Sequence, residues 1–315
     1  MPAPKTAREW AGSQTGHDER EITRMADLRS HDLTPPKPYP RIPAKKRPKI
    51  GKTIVAIPDA HFTPGVDNAR AEWAGRLCAH VRADDAIDVG DWFSMESMCK
   101  AVGDAEHAWS ANSYAEDVHA GIDARLRFNR ELDEFNKTQK KGSKLVTEKH
   151  FCLGNHENRT DLWLAENPKW RGVISTDDFR SKALGWHEHP FLEVQEILGI
   201  SFAHYFVSGP MGRPISGFQV ANSMVNKLHK SCVQGHLHLY DEAIRTSAQG
   251  DPVIGLCVGV FTEEWMDYAG PANLMWRRGI PVLHNCTGSG CLLYTSDAAD
   301  EGVGVDLGGR RIIKK

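Results

Sequence analysis

Short apolar runs recur between residues 51 and 290, and most end in a polar turn that carries glycine or histidine. The β-branched run at 53–57 predicts a buried first strand, and 86–89 a second. Residues 151–153, 199–203 and 231–234 repeat the pattern, with further strand-like runs at 253–261 and 280–284. Helical spacing falls between them. Ala71, Trp73, Leu77 and Val81 predict a helix over 67–83, and Val220, Met224 and Leu228 another over 217–230. Residues 92–149 read as a long, mainly helical insert with Val118, Ile122, Leu126, Leu132 and Phe135 on its apolar face. Its charges Arg125, Arg127, Arg130, Glu131, Asp133 and Glu134 read as a solvated face. Residues 158–198 read as irregular, Trp-rich surface loops. Strands alternating with helices make the chain α/β.

The two ends differ from this middle. Residues 1–50 are polar, with a short helix expected over 20–28 and a Pro-rich, basic stretch from Pro35 to Lys49. Proline at that density excludes helix and central strand, so 1–50 reads as a solvated arm or linker ahead of a domain at 51–290. Gly51-Lys52-Thr53 imitates the end of a phosphate-binding loop but precedes its strand, and Lys46 stands where the first glycine belongs. The run Cys291 to Glu301, and again Val305 to Ile313, matches the translation of a transposase-based sequencing adapter. Residues 291–315 are therefore expected not to be native protein and to pack poorly, and the domain to be truncated near Gly290.

Composition narrows the class little. The chain has 40% hydrophobic and 25% charged residues and a formal charge of −2, which excludes a globally basic nucleic-acid coat. No apolar run is long enough to span a membrane and the N-terminus has no secretory signal, so a cytoplasmic protein is expected, in the host cytoplasm if phage-encoded. The seven cysteines lack paired spacing, and Cys78, Cys152, Cys232 and Cys257 read as buried thiols.

The chemistry lies where the strands stop. In order, the polar clusters are Asp59-x-His61, Gly90-Asp91, Gly154-Asn155-His156-Glu157, His204, and Gly235-His236-x-His238. Residues two apart on an extended segment point the same way, so Asp59 with His61, and His236 with His238, can converge. Carboxylates mixed with imidazoles suit Mn²⁺, Fe or Zn²⁺, with Ni²⁺ also admitted, better than Ca²⁺. Arg159, close behind the His156-Glu157 pair, could reach a phosphate. His187-Glu188-His189 falls within the irregular 158–198 stretch, for which a substrate-binding cap is the alternative to surface loops.

These five clusters, in this order, resemble the calcineurin-like metallophosphoesterases of phage and bacterial type, a superfamily that includes SbcD-type nucleases and other binuclear phosphoesterases. The resemblance spans residues 53–290. It implies two mixed β-sheets packed as a sandwich, flanked by helices, with the metals at the strand C-terminal ends. It places one ion on Asp59, His61, Asp91 and His238, and a second on Asp91, Asn155, His204 and His236. Asp91 bridges them, a bridging hydroxide attacks the phosphorus, and His156 works on the phosphate and leaving oxygen, with Asn155 and Arg159 also at the phosphate. Many members carry a second Asp three residues after the bridging one to orient that histidine; here the position is Ser94, so what orients His156 is left open. The implied activity is phosphoester hydrolysis, with a phosphodiester, including nucleic acid, as the leading substrate. A phosphomonoesterase on nucleotides or phosphoproteins and a non-catalytic metal-binding scaffold are the alternatives.

Overall fold

The computed structural model describes residues 51–99, 113–262, 265–287 and 292–296. The arm at 1–50, with its expected short helix, lies outside them.

The first sheet is built from β1 (Lys52–Ile57), β2 (Asp85–Asp88), β3 (Glu148–Cys152) and β4 (His187–His189), all parallel, with β12 (Ile280–Cys286) antiparallel to β1. A last strand, β13 (Leu292–Ser296), pairs antiparallel with β12 and makes the order β13-β12-β1-β2-β3-β4. These five residues, expected to lie outside the native domain, pair their backbone with the open edge of β12. The second sheet runs β10-β11-β9-β6-β5, from β5 (Gln195–Ile197), β6 (Ile200–Ala203), β9 (Ser231–Gln234), β10 (Tyr240–Thr246) and β11 (Pro252–Val258). Strands β6, β9 and β11 are parallel. A two-stranded ladder, β7 (Val207–Ser208) and β8 (Arg213–Pro214), sits beside it.

Alternation along β1 sets the layers. Ile54 and Ala56 face the second sheet and pack with Ile87, Val89, Phe202, Val233 and Leu256. Val55 and Ile57 face the other way, into a core shared with the helices α1 (Arg70–Val81) and α2 (Tyr114–Lys137). On the far side of the second sheet, α4 (Val220–Leu228) lays Val220 and Met224 against Ala203, Cys232 and Cys257. The result is two mixed sheets face to face with helices outside, as expected.

Three local readings are corrected. The stretch after the Gly-Asn-His-Glu cluster is not all loop, because Asn155–Glu166 forms a helix, α3. Its buried side is Glu157, Thr160 and Leu164 with His156, too polar to register as an apolar face. In α1 the buried face is Ala71, Ala74 and Cys78, while Trp73 is exposed; small residues let α1 lie close to α2. In α2, Leu126 is 52% exposed and Arg125 is fully buried, the reverse of the amphipathic reading.

Arg125 is the charged heart of the helical layer. Its guanidinium lies 4.0 Å from the Phe151 ring and 4.8 Å from that of Trp186, with its Nη2 3.6 Å from Asp88 Oδ2. Its Nη1 donates to Ser181 Oγ, which donates to Glu188. Burial pulls the guanidinium down to about 10, so it stays cationic at neutral pH. Asp88, raised well above its usual range by burial and pulled back by Arg125, accepts the Gly90 N–H at 2.9 Å. That bond shapes the turn leading to Asp91.

Arg125→Met should cost about 3–5 kcal/mol in denaturant unfolding by leaving Asp88 without its cation. Adding Asp88→Asn should recover part of the loss. A single-mutant cost below about 1 kcal/mol would contradict the assignment.

Candidate metal centre

Every residue of the five clusters sits just past a strand end. Asp59 and His61 follow β1, Asp91 follows β2, and Asn155 and His156 open α3 behind β3. His204 follows β6, and His236 and His238 follow β9. The parallel strands of each sheet deliver these ends to one edge of the sandwich, where α/β proteins usually present chemistry.

The turns are held by buried charge. Glu157, fully buried, accepts the N–H of Asp91 at 3.1 Å, of Phe93 at 2.8 Å and of Gly154 at 2.8 Å. Asp91 Oδ1 in turn accepts the His156 N–H at 2.9 Å. Asp59 accepts the His236 N–H at 2.8 Å through Oδ2, and Arg70 donates to the carbonyls of Ala60 and His61 at 2.8 and 3.1 Å. The approaches are close enough to demand glycine: a Cβ at Gly154 would stand 2.1 Å from Asp91 Oδ1, and at Gly235 2.2 Å from Asp59 Oδ1. His61, Asp91, His236 and His238 all take left-handed backbone, with φ between 46° and 68°. Such conformations cost about 1–2 kcal/mol each and concentrate where function demands them.

Three groups of converging donors result: Asp59 with His61 and His238, Asp91 with His204 and His236, and His61 with Asp91 and His156. Asp91 belongs to two of them. His61 Nε2 and His238 Nε2 face each other at 3.1 Å, and Asp59 Oδ2 lies 3.0 Å from the latter. Across the site His204 Nε2 stands 3.4 Å from Asp91 Oδ2 and 2.8 Å from Asn155 Oδ1. The residues named from the sequence lie together at this end, though not divided as expected: Asp91 converges with His204 and His236 and with His61 and His156, while Asp59, His61 and His238 form a group without it. They fit divalent ions on their chemistry. Carboxylates and imidazoles converge within a few ångströms, the mixed oxygen and nitrogen donor set that borderline divalent ions take.

The titrations follow from the same arrangement. Burial works against charge at Asp91, yet His204 and His156 hold its carboxyl well below the usual range. Burial and then the charge of Asp91 push Glu157 up. His204, despite burial, is raised to about 9 by Asp91, while burial and its imidazole neighbours drive His61 well below the usual value. A ligating imidazole must be neutral, so an ion entering beside His204 displaces a proton.

His156 has an orienting partner after all. Its Nδ1 lies 2.5 Å from the backbone carbonyl of Ser94, while the Ser94 hydroxyl turns to Glu96 at 3.4 Å. Arg159 Nη1 donates to the Ser94 and Met95 carbonyls, and Nη2 donates to His156 Nε2 at 2.9 Å. Burial chiefly, with Arg159 adding, lowers His156 to about 4 against the pull of Asp91, so the ring is neutral with Nδ1 as donor. Two aromatic rings flank the site. Tyr205 is 4.7 Å from the His236 ring, and Trp276 is 4.2 Å from that of His238.

Sequence reasoning missed Glu157, Arg70, the Asp88–Arg125 pair and these two rings as parts of the site. Only Glu157 left a trace, as the third helical residue after Gly154, where a carboxylate commonly accepts the capping N–H.

No family model and no curated protein matches the chain. Among solved structures, a phosphoesterase from E. coli, YfcE, superposes with a TM-score of 0.34 at 14% identity, covering 78% of this chain and 98% of that one. The functional reading therefore rests on the chain's own residues.

Glu157→Gln removes one of the two oxygens that gather three N–H groups and adds a donor facing them. Divalent-ion affinity should fall by about 10–100-fold while circular dichroism stays that of a folded protein. Unchanged affinity by calorimetry would remove Glu157 from the site.

Proposed function

We propose that this chain is a binuclear-metal-dependent phosphoester hydrolase acting on phosphodiesters, nucleic acid among them, in the manner of the calcineurin-like metallophosphoesterases its clusters resemble. The observation that carries the reading is the convergence of Asp91 with His204 and His236 on one side and with His61 and His156 on the other, His61 also converging with Asp59 and His238. In this reading Asp59, His61, Asp91 and His238 hold one ion, and Asp91, Asn155, His204 and His236 the other. Mn²⁺ fits the donor set, with Fe, Zn²⁺ or Ni²⁺ as substitutes. When bound, such a pair supplies Lewis-acid polarisation of a phosphoryl oxygen and an acidified water.

The chain's own residues do the rest. Asp91 stays anionic because His204 and His156 stand beside it, so it is ready to ligate without first losing a proton. Arg159 and His156 occupy each other's hydrogen bonds, and a phosphate entering beside them takes the place of that contact. The guanidinium then faces the phosphoryl oxygens while its Nη1 stays tied to the Ser94 carbonyl. The phosphate's negative charge raises the proton affinity of His156 Nε2, and the protonated ring can hand a proton to the leaving oxygen. The Ser94 carbonyl accepts from Nδ1 throughout and fixes the ring.

Two features support a diester. Tyr205 and Trp276 each stand beside the histidines of a different ion, offering a ring on which an aromatic ester group such as a nucleobase can stack. Arg159 is also the only cationic side chain hydrogen-bonded to His156 among the described residues, a modest counter-charge for a dianionic monoester.

Purified protein with Mn²⁺ should hydrolyse bis-p-nitrophenyl phosphate faster than p-nitrophenyl phosphate, and should also cleave linear DNA. Asp91→Asn and His156→Ala should each lower kcat by about 10²–10⁴-fold. Full activity in both variants rejects the mechanism. Preference for the monoester would move the substrate to that class, and metal binding without any hydrolysis would leave a scaffold.

A further inference from the structure

The His187-Glu188-His189 motif lies on β4, the edge strand of the first sheet, away from the strand ends that build the candidate centre. Alternation puts His187 and His189 on one face of the strand. The neighbouring strand adds a third imidazole, since His150 of β3 pairs in register with His187. The three rings form a row, His150 lying 5.5 Å from His187 on one side and 5.5 Å from His189 on the other.

The nitrogens are arranged more specifically than a row of rings requires. His150 Nδ1 and His189 Nε2 face each other at 3.2 Å. Two imidazoles on one tetrahedral ion, at metal–nitrogen distances of about 2.0–2.1 Å, hold their nitrogens about 3.3 Å apart. The facing pair in the candidate centre, His61 and His238, is separated by 3.1 Å. The opposite nitrogen of His150, Nε2, looks toward Asp85 Oδ1 at 3.7 Å, and Asp85 is itself buried and anchored by Lys52 at 3.0 Å. A carboxylate behind a histidine is the arrangement that fixes the tautomer of a metal ligand and leaves the other nitrogen's lone pair free. Burial first, and the neighbouring imidazole of His150 next, lower the proton affinity of His189.

We propose that His150 Nδ1 and His189 Nε2 form a second, separate site for a borderline transition-metal cation such as Zn²⁺ or Ni²⁺. Imidazole donors exclude Mg²⁺ and Ca²⁺, which take oxygen. His187, 63% exposed and engaged with Glu148 at 3.3 Å, can turn to become a third ligand, with water completing the shell. The ion links residues 39 positions apart in sequence and clips a three-residue edge strand to its neighbour. Binding the folded state in preference to the unfolded one then raises thermal stability. The proposal does not draw on the hydrolytic reading.

The test is Ni²⁺ binding by equilibrium dialysis on the full chain. It compares the natural sequence with His189→Ala, His187→Ala, and a double variant of the candidate centre, His61→Ala with Asp91→Asn. Loss of one Ni²⁺ equivalent in His189→Ala, with that equivalent retained in the double variant, supports the clip. His187→Ala, at an exposed position that should not disturb folding, is expected to weaken the same equivalent about tenfold. In the double variant Ni²⁺ should raise Tm, and adding His189→Ala should abolish the rise. Equal Ni²⁺ stoichiometry and affinity in the natural sequence and His189→Ala overturns the proposal, as does a double variant that binds none at this site. Failure of the candidate centre would look different: the natural sequence and the double variant would bind the same single equivalent, at the clip.

Discussion

Four buried carboxylates gather at the head of the sandwich: Asp59, Asp88, Asp91 and Glu157, none more than 2% exposed. Burying a carboxylate is unfavourable unless charge or hydrogen bonds compensate it. The rest of the site can be understood as the means of compensation. Glu157 collects three backbone N–H groups, Asp59 takes that of His236, and Asp88 is faced by Arg125. Asp91 takes the His156 N–H on one oxygen and faces the imidazoles of His204 and His156 with the other, and imidazoles are partners that give way to a metal ion. The same bonds that stabilise the carboxylates fix the turns from which the ligands project, so stability and site geometry share a cause.

This explains why strained backbone is tolerated here. The left-handed conformations of His61, Asp91, His236 and His238 lie in turns anchored by Arg70, Glu157 and Asp59. It also gives the helical insert a part in the site. Helix α2 carries Arg125, the cation facing Asp88, and Asp88 shapes the turn before Asp91. A residue far along the chain thereby supports a ligand it does not touch.

Much of this was legible in the order of residues and part was not. Strands that feed the site are uniform apolar runs, such as Ile54 to Ile57, and the clusters after them keep their spacing in any α/β arrangement. Both sheets and all seven candidate ligands were therefore reachable. Arg125 was not, because in a helix with Arg127 and Arg130 nearby a cation reads as solvated, and only the fold brings Phe151, Trp186 and Asp88 around it. Helix α3 was hidden for a related reason: its inward face is Glu157 and Thr160, buried by hydrogen bonding and local packing in place of an apolar stripe. The orienting partner of His156 escaped because it is a backbone carbonyl, which any residue at position 94 supplies.

The central claim is that Asp91 is shared by two ions. Crystals soaked in Mn²⁺ and measured for anomalous scattering test it directly. Two peaks are expected, one enclosed by Asp59, His61 and His238, the other by Asn155, His204 and His236, with Asp91 touching both. A single peak that Asp91 does not contact, or none at this end of the sandwich, would contradict the account.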